Sequence, residues 1–303
     1  MRRTAFETIE APDFDLALTL DSGQAFHWER AGAGFVGAIG DRAVYVEQCG
    51  SVLKVRDGEP PTLPRVISRY FSLDHPLAEI CASFPNDPAM RTASDYCRGL
   101  RIIRQPRWEC LATFITSSMK QVAHIRQISR TLRRRFGETR TVHGIETHVY
   151  PAARRIAELD EVELRKCALG YRAKNLLSTA RLISRGEVDL DRLATLPDEE
   201  LRARLCELPG VGAKIANCVL LFAYERLRAF PIDVWIERVL RERYLQRRRK
   251  LTSEKLRQFC NEYFGAYGGY AQQYLFHHAR TTASQKRKPS STKPAPRLSR
   301  KAR

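Results

Sequence analysis

Lys214 and Asp233 are the residues of this sequence best placed for covalent chemistry, because of what precedes the lysine. Residues 207–214 read Glu-Leu-Pro-Gly-Val-Gly-Ala-Lys, and Pro-Ile-Asp follows at 231–233. Gly210, Val211 and Gly212 predict a tight turn that opens a helix, with Lys214 on its first turn. Backbone N–H groups at such a helix start can hold a phosphate. A lysine amine, once neutral, attacks an electron-poor sugar carbon and leaves a Schiff base. The positive end of the helix dipole disfavours a cation there. Asp233 can take and return the protons that such a step moves. Its place after Pro231 and before an apolar run also fits an ordinary helix N-cap.

The elements that must position these groups change character along the chain. Residues 14–58 read as β: the runs 34–39, 42–48 and 51–56 are short and rich in Val, Tyr and Gly. From about 62 the period is helical. Val122, Ile125, Ile128 and Leu132 recur at three- and four-residue steps. Further helices are expected at 63–72, 88–99, 107–118, 161–168, 172–185, 198–206, 213–226, 234–245, 253–264 and 269–279. Pro151, Pro197, Pro209 and Pro231 punctuate them. From about 281 the sequence is rich in Ser, Pro, Lys and Arg and poor in apolar residues, so disorder is expected. The fold class is therefore α+β: a β-rich domain over 1–100, a helical domain over 101–280 with the hairpin at about 205–235, and a basic tail over 281–303.

Composition narrows the partner. The 303 residues carry a net charge of +18, from 52 basic and 34 acidic side chains. Nine of the basic residues and none of the acidic ones lie in 280–303, which leaves +9 on the rest. A basic excess in both parts fits a polyanion such as nucleic acid. No apolar run approaches the ~18–20 residues of a membrane span, and Met-Arg-Arg-Thr-Ala-Phe-Glu lacks the apolar stretch of a signal peptide. An intracellular protein with no membrane partner is expected. The eight cysteines include no Cys-x-x-Cys pair and none beyond 260, so no zinc motif and no C-terminal four-cysteine iron–sulfur loop is present.

The hairpin with its Lys and Asp resembles the helix-hairpin-helix and Gly/Pro-Asp signature of DNA glycosylases, in the form whose members also cut the strand. Three more segments narrow the likeness: Asp-Ser-Gly-Gln-Ala-Phe-His-Trp at 21–28, Leu-Gly-Tyr-Arg-Ala-Lys at 169–174 and Gly-Tyr-Ala-Gln-Gln-Tyr-Leu-Phe at 269–276. Over roughly residues 10–280 the chain resembles the 8-oxoguanine DNA glycosylase family. The resemblance implies an N-terminal TATA-binding-protein-like antiparallel sheet against two helical subdomains. It implies Lys214 and Asp233 as catalytic residues. Gly23 would be the glycine whose carbonyl accepts N7–H of the oxidised base, Cys218 and Phe276 the two walls of the base pocket, and Gln272 the reader of the Watson–Crick edge. Tyr171 would be the wedge in the stack, and Gly210, Val211 and Gly212 the phosphate-binding turn. The implied partner is double-stranded DNA containing oxidised guanine, bound by a monomer. No redox cofactor, catalytic metal or iron–sulfur cluster is implied, although a structural monovalent or divalent ion at the hairpin is compatible with it.

The chain departs from the family in three places. The residues that read the orphaned cytosine in eukaryotic members are an Asn and two Arg. Here the Asn position is Met119, the first Arg position is His124, and only Arg172 is kept. Methionine cannot donate as arginine does, so weaker discrimination for cytosine opposite the lesion is expected. Trp235 stands where many members have a phosphate-contacting His, and its indole N–H can still donate. Two other readings stay open: a related glycosylase for another oxidised purine, and a non-catalytic DNA-binding hairpin protein, which would need neither Lys214 nor the Gln272/Phe276 pair.

Overall fold

The computed structural model describes residues 6–57, 63–245 and 252–286. Its N-terminal part is built on an antiparallel sheet of β1 (Glu7–Glu10), β2 (Glu29–Ala31), β3 (Gly34–Ile39), β4 (Arg42–Cys49) and β5 (Val52–Asp57), in the order β1-β5-β4-β3-β2. The last three strands are the runs expected from composition. The reading of 14–58 as wholly β is corrected by α1 (Leu16–Asp21), which Asp15 caps by accepting the Leu18 N–H at 2.8 Å. A six-residue helix offers too little periodicity to betray itself.

One sheet face buries Phe35, Val44, Val46, Leu53 and Val55 against Leu16, Leu20 and α2 (Leu63–Tyr70). The other face buries Val36, Ala43 and Tyr45 beneath a hairpin that was not expected, β6 (Thr139–Val142) and β7 (Ile145–His148). Its two-residue turn, His143-Gly144, has φ of 54° and 74°, the positive values that a type I′ turn needs. Covering both faces explains why four consecutive β4 residues, 43–46, are buried.

After α2 come α3 (Leu77–Ala82) and α4 (Pro88–Tyr96). The helical body follows with α5 (Arg107–Ser117), α6 (Val122–Phe136), α7 (Ala153–Ala157), α8 (Glu161–Leu164), α9 (Arg172–Ser184), α10 (Leu190–Leu193) and α11 (Asp198–Cys206). It ends with α12 (Ala213–Ala223), α13 (Val234–Val239), α14 (Ser253–Tyr263) and α15 (Gly268–Lys286). The expected count of about ten rises to fifteen among the described residues, chiefly through short helices such as α3, α7 and α10. The apolar stripe of α6 packs inward at Ile125, Ile128 and Leu132. Disorder was expected from 281, but α15 continues through Lys286. The rest of the basic tail, 287–303, lies outside the described residues.

Two contacts tie the sheet domain to the helical body near the site. Helix α15 returns to the N-terminal part, where the buried Tyr274 hydroxyl donates to the Leu100 carbonyl at 2.9 Å. A buried ionic cluster also joins Glu109 of α5, Arg133 of α6 and His27. The Arg133 guanidinium donates to Glu109 and, at 3.2 Å, to the His148 carbonyl. His27 Nε2 lies 2.8 Å from the Ala38 carbonyl and so carries a proton, while Nδ1 faces Glu109 at 3.4 Å. Burial, and then the Arg133 charge, hold His27 well below the ordinary imidazole value. Burial pushes the Glu109 carboxyl up, against the pull of Arg133.

Candidate active site

The hairpin forms as its glycines require. Helices α11 and α12 flank residues 207–212. Gly210 has φ +81°, and a Cβ there would come within 2.6 Å of the Asn175 side chain. Both the backbone angle and the space demand glycine. Val211 is buried and anchors the turn. Gly212 is the N-cap of α12, has no side chain to cap the first-turn N–H groups, and meets open space where a Cβ would be. The helix start can therefore be approached by a phosphate.

Lys214, on the first turn of α12, faces a cavity of about 350 Å³. The same cavity is lined by Gly23, Cys218, Asp233, Trp235, Gln272 and Phe276. Thus both residues expected to be catalytic and all four expected to hold the base meet in one place, drawn from the α1 turn, α12, the start of α13 and α15. Larger clefts of about 800 and 770 Å³ contain neither Lys214 nor Asp233. The cavity walls mix apolar side chains such as Phe114, Phe222 and Phe276 with polar and charged ones such as Lys120, Asp233 and Gln272.

The chemistry of each group follows from its surroundings. The Lys214 amine lies 5.4 Å from the centroid of the Phe114 ring. Asp233 caps α13, accepting the Ile236 N–H at 2.9 Å. Burial raises its carboxyl above the ordinary value, opposed by that N–H and by the Lys214 charge. The cap and the catalytic reading are thus compatible in one side chain. Burial pushes the Cys218 thiol up to about 11, again against the Lys214 charge, so it is a neutral wall at pH 7. Gln272 is 4% exposed, and its Oε1 has no hydrogen-bond partner among the described residues. A buried polar atom without a partner is costly unless a ligand meets it. Gly23 has φ +87°, and a Cβ there would stand 3.0 Å from the Phe276 ring.

The residues expected to face the opposite strand lie outside the cavity. Tyr171 stands at the tip between a π-type turn and α9 and is 57% exposed. Met119 is 93% exposed with φ +52°, in the strained left-handed region for a methionine, and its sulfur is 4.0 Å from the Tyr171 hydroxyl. His124 is exposed on the first turn of α6. Arg172 turns inward. Its guanidinium is buried, donates twice to the Ser118 carbonyl (through Nε at 2.7 Å), and packs 4.3 Å from the Tyr171 ring. Trp235 lines the cavity and has the Arg238 guanidinium 5.5 Å from its ring.

Other lining residues were not anticipated. Phe222 continues the series Lys214, Cys218 at i+8, and Arg280 continues Gln272, Phe276 in the same way. Helical spacing could have revealed both. Phe114, stacked on Phe222 at 5.6 Å, and Lys120 arrive from α5 and the loop after it, without any local signal.

Known proteins similar to this chain point to one family. The family described as 8-oxoguanine DNA glycosylase, N-terminal domain, matches residues 8–111. The HhH-GPD superfamily base excision DNA repair proteins match residues 112–264. The structure of MBOgg1 in complex with a low-affinity DNA ligand is 30% identical, covers 93% of this chain and 98% of its own, and superposes with a TM-score of 0.87. The Clostridium acetobutylicum 8-oxoguanine glycosylase/lyase, in complex with double-stranded DNA containing cytosine opposite 8-oxoG, is 29% identical over 92% of this chain and 100% of its own, with a TM-score of 0.84. The N-glycosylase/DNA lyase OGG1 of Arabidopsis thaliana is 29% identical over 87% of this chain and 77% of its own. The chain belongs to the 8-oxoguanine DNA glycosylases of the helix-hairpin-helix GPD superfamily of base-excision repair proteins.

Proposed function

We propose that the protein is a bifunctional DNA glycosylase and abasic-site lyase that removes 8-oxoguanine. The observation that carries this reading is the single cavity in which Gly23, Lys214, Cys218, Asp233, Gln272 and Phe276 converge. The extruded base is held between Cys218 and Phe276, as a flipped base must be held on its faces and read on its edge. The open Gln272 oxygen reads the edge. The Gly23 carbonyl accepts N7–H, which the oxidised base has and guanine lacks. The neutral Lys214 amine attacks C1′ as the C1′–N9 bond breaks, and the bonding pair leaves with the base. Asp233, whose carboxyl takes up a proton more readily than an ordinary aspartate, receives the proton shed by the amine and passes it on. The C1′–O4′ bond then breaks, O4′ takes the proton from Asp233, and the imine so formed acidifies C2′–H, whose loss expels the 3′ phosphate.

The hairpin and the helix dipole of α12 hold the backbone phosphate, and the exposed pair Met119 and Tyr171 enters the stack as an apolar wedge. The steps as proposed call on neither a redox cofactor nor a metal. Among the described residues no group of three or more His, Cys, Asp or Glu is assembled for a metal, and a structural ion at the hairpin has no role in these steps. The protein acts as a monomer on intracellular DNA. None of its described helices is long and apolar enough to cross a membrane.

The test is incision of a duplex carrying one 8-oxoguanine, with borohydride trapping, beside the same duplex with guanine. Lesion-dependent incision and a trapped adduct are expected. Binding without incision would favour a non-catalytic hairpin protein. The opposite base gives a second expectation. Met119 offers no hydrogen bond to cytosine and His124 stands where an arginine would donate, while Arg172, the one reader kept, also bonds the Ser118 carbonyl. Excision rates opposite C, A, G and T should therefore differ by less than about a hundredfold, since two lost contacts cost about 1–3 kcal/mol each. A cytosine preference larger than that would show that other groups read the orphaned base.

A further inference from the structure

Helix α15 presents two adjacent glutamines with different duties. Both border the cavity, and the buried Oε1 of Gln272 has no hydrogen-bond partner among the described residues. Gln273, 2% exposed, donates its amide to the Ser22 carbonyl at 2.9 Å. Two turns further along, the Arg280 guanidinium donates to the preceding carbonyl, that of Asp21, at 2.5 Å. Between these donors on the same helix stands Phe276, whose ring occupies the space a Gly23 side chain would need. The carbonyls of residues 21 and 22 are thus held by α15, one on each side of the ring that faces Gly23.

The turn is held from its other side as well. The Ser22 hydroxyl donates to the Thr19 carbonyl at 2.7 Å and accepts the Gln24 amide at 2.9 Å. Gln24 also donates to the Arg101 carbonyl, accepts the Ile103 N–H, and has its own carbonyl taken by Gln105. Ser22 and Gln24 are both completely buried. Both neighbours of Gly23 are therefore fixed, and the direction of the intervening carbonyl is set by this network.

We infer that Gln273 is a positioning residue for damage recognition, holding the Ser22 carbonyl so that the Gly23 carbonyl points at N7–H of the oxidised base. This rests on the reading of Gly23 given above. Gln273 borders the cavity but spends its amide on the Ser22 carbonyl. Its contribution belongs to choosing the base, not to cutting the strand, and those two can be measured separately. A preformed abasic site has no base to read, yet it still needs Lys214 for β-elimination.

The experiment compares Gln273→Leu, and Gln273→Met as a second variant of similar length, with the wild-type full chain on two duplexes. Single-turnover excision of 8-oxoguanine should fall about tenfold or more, because a misdirected contact in a fitted site is costly. β-Elimination at the abasic site should stay within about twofold. Parallel loss of both activities in both variants, or unchanged excision, would overturn the inference and leave Gln273 as interdomain packing. A wild-type protein that cleaves abasic DNA but ignores 8-oxoguanine would instead overturn the function on which the inference rests.

Discussion

Lys214→Gln is expected to abolish the borohydride-trapped complex with lesion DNA and to lower single-turnover excision by at least about 10³-fold. Glutamine has no primary amine, so no imine forms and nothing remains to be reduced. The fold should survive. Lys214 is only half-buried on the first turn of α12, and glutamine is a good helix former of nearly the same length. Binding of 8-oxoguanine DNA should stay close to wild type, because the hairpin, Gly23, Gln272 and Phe276 are untouched. Loss of the neighbouring cation also removes a charge that holds the Asp233 carboxyl down, so burial then pushes that group further up. A gel-shift titration beside the trapping assay separates these effects. Adduct at wild-type level would place the nucleophile elsewhere, and Lys120, in the same cavity, would be the next to replace.

Arg133→Met should cost about 3–5 kcal/mol of stability, because it leaves the Glu109 carboxylate buried without its cation. The double variant with Glu109→Met should regain most of that loss, since an apolar pair of similar volume often replaces a buried ion pair without penalty. The pH dependence separates the two members. In the wild type His27 is held well below its ordinary value, so the unfolded chain binds a proton that the folded one refuses. Stability is complete above the unfolded imidazole value of 6.5 and declines as the pH falls below it. Removing Arg133 leaves the burial of His27 but eases the smaller, charge-based part of its restraint, and it leaves Glu109 with a still more elevated folded value. Stability lost to a raised carboxyl is largest at neutral pH and shrinks as protons become available. The gap between Arg133→Met and wild type should therefore narrow from pH 7.5 to pH 5, measured by urea unfolding at each pH. A gap that widens on acidification would contradict the assignment of a buried, unpaired Glu109 in the variant.

The parts of the site that follow helical spacing were legible in the sequence. Lys214 and Cys218, and Gln272 and Phe276, are pairs four apart, and each pair lines the cavity from one helix face. The hairpin was legible because Gly210 must be glycine for two separate reasons. What escaped is the work of residues whose partners are distant in the chain. Nothing near Arg172 announces that its guanidinium is spent on Ser118, 54 residues earlier. Nothing in the dipeptide Gln272-Gln273 says that both border the cavity while the second spends its amide on a turn 251 residues away. The β6–β7 hairpin is a different case. Its alternating Thr and Val with a His-Gly turn were visible, and the helical reading around it obscured them. The helix end at 281 was missed because threonines that bond back to the preceding turn, as Thr281 does to His277 at 2.6 Å, look like loop residues in composition.

The bond from Gln273 to Ser22 also bears on when the protein becomes competent. Synthesis delivers the sheet first and the hairpin with its lysine much later, and N-terminal parts can fold as they emerge. The pocket that chooses the base cannot exist until residue 276 has left the ribosome and α15 has returned to the turn at residue 23. A truncated or partly folded chain would carry Lys214 while lacking Gln272, Phe276 and the bond from Gln273. The cavity is therefore completed last, by the final described helix.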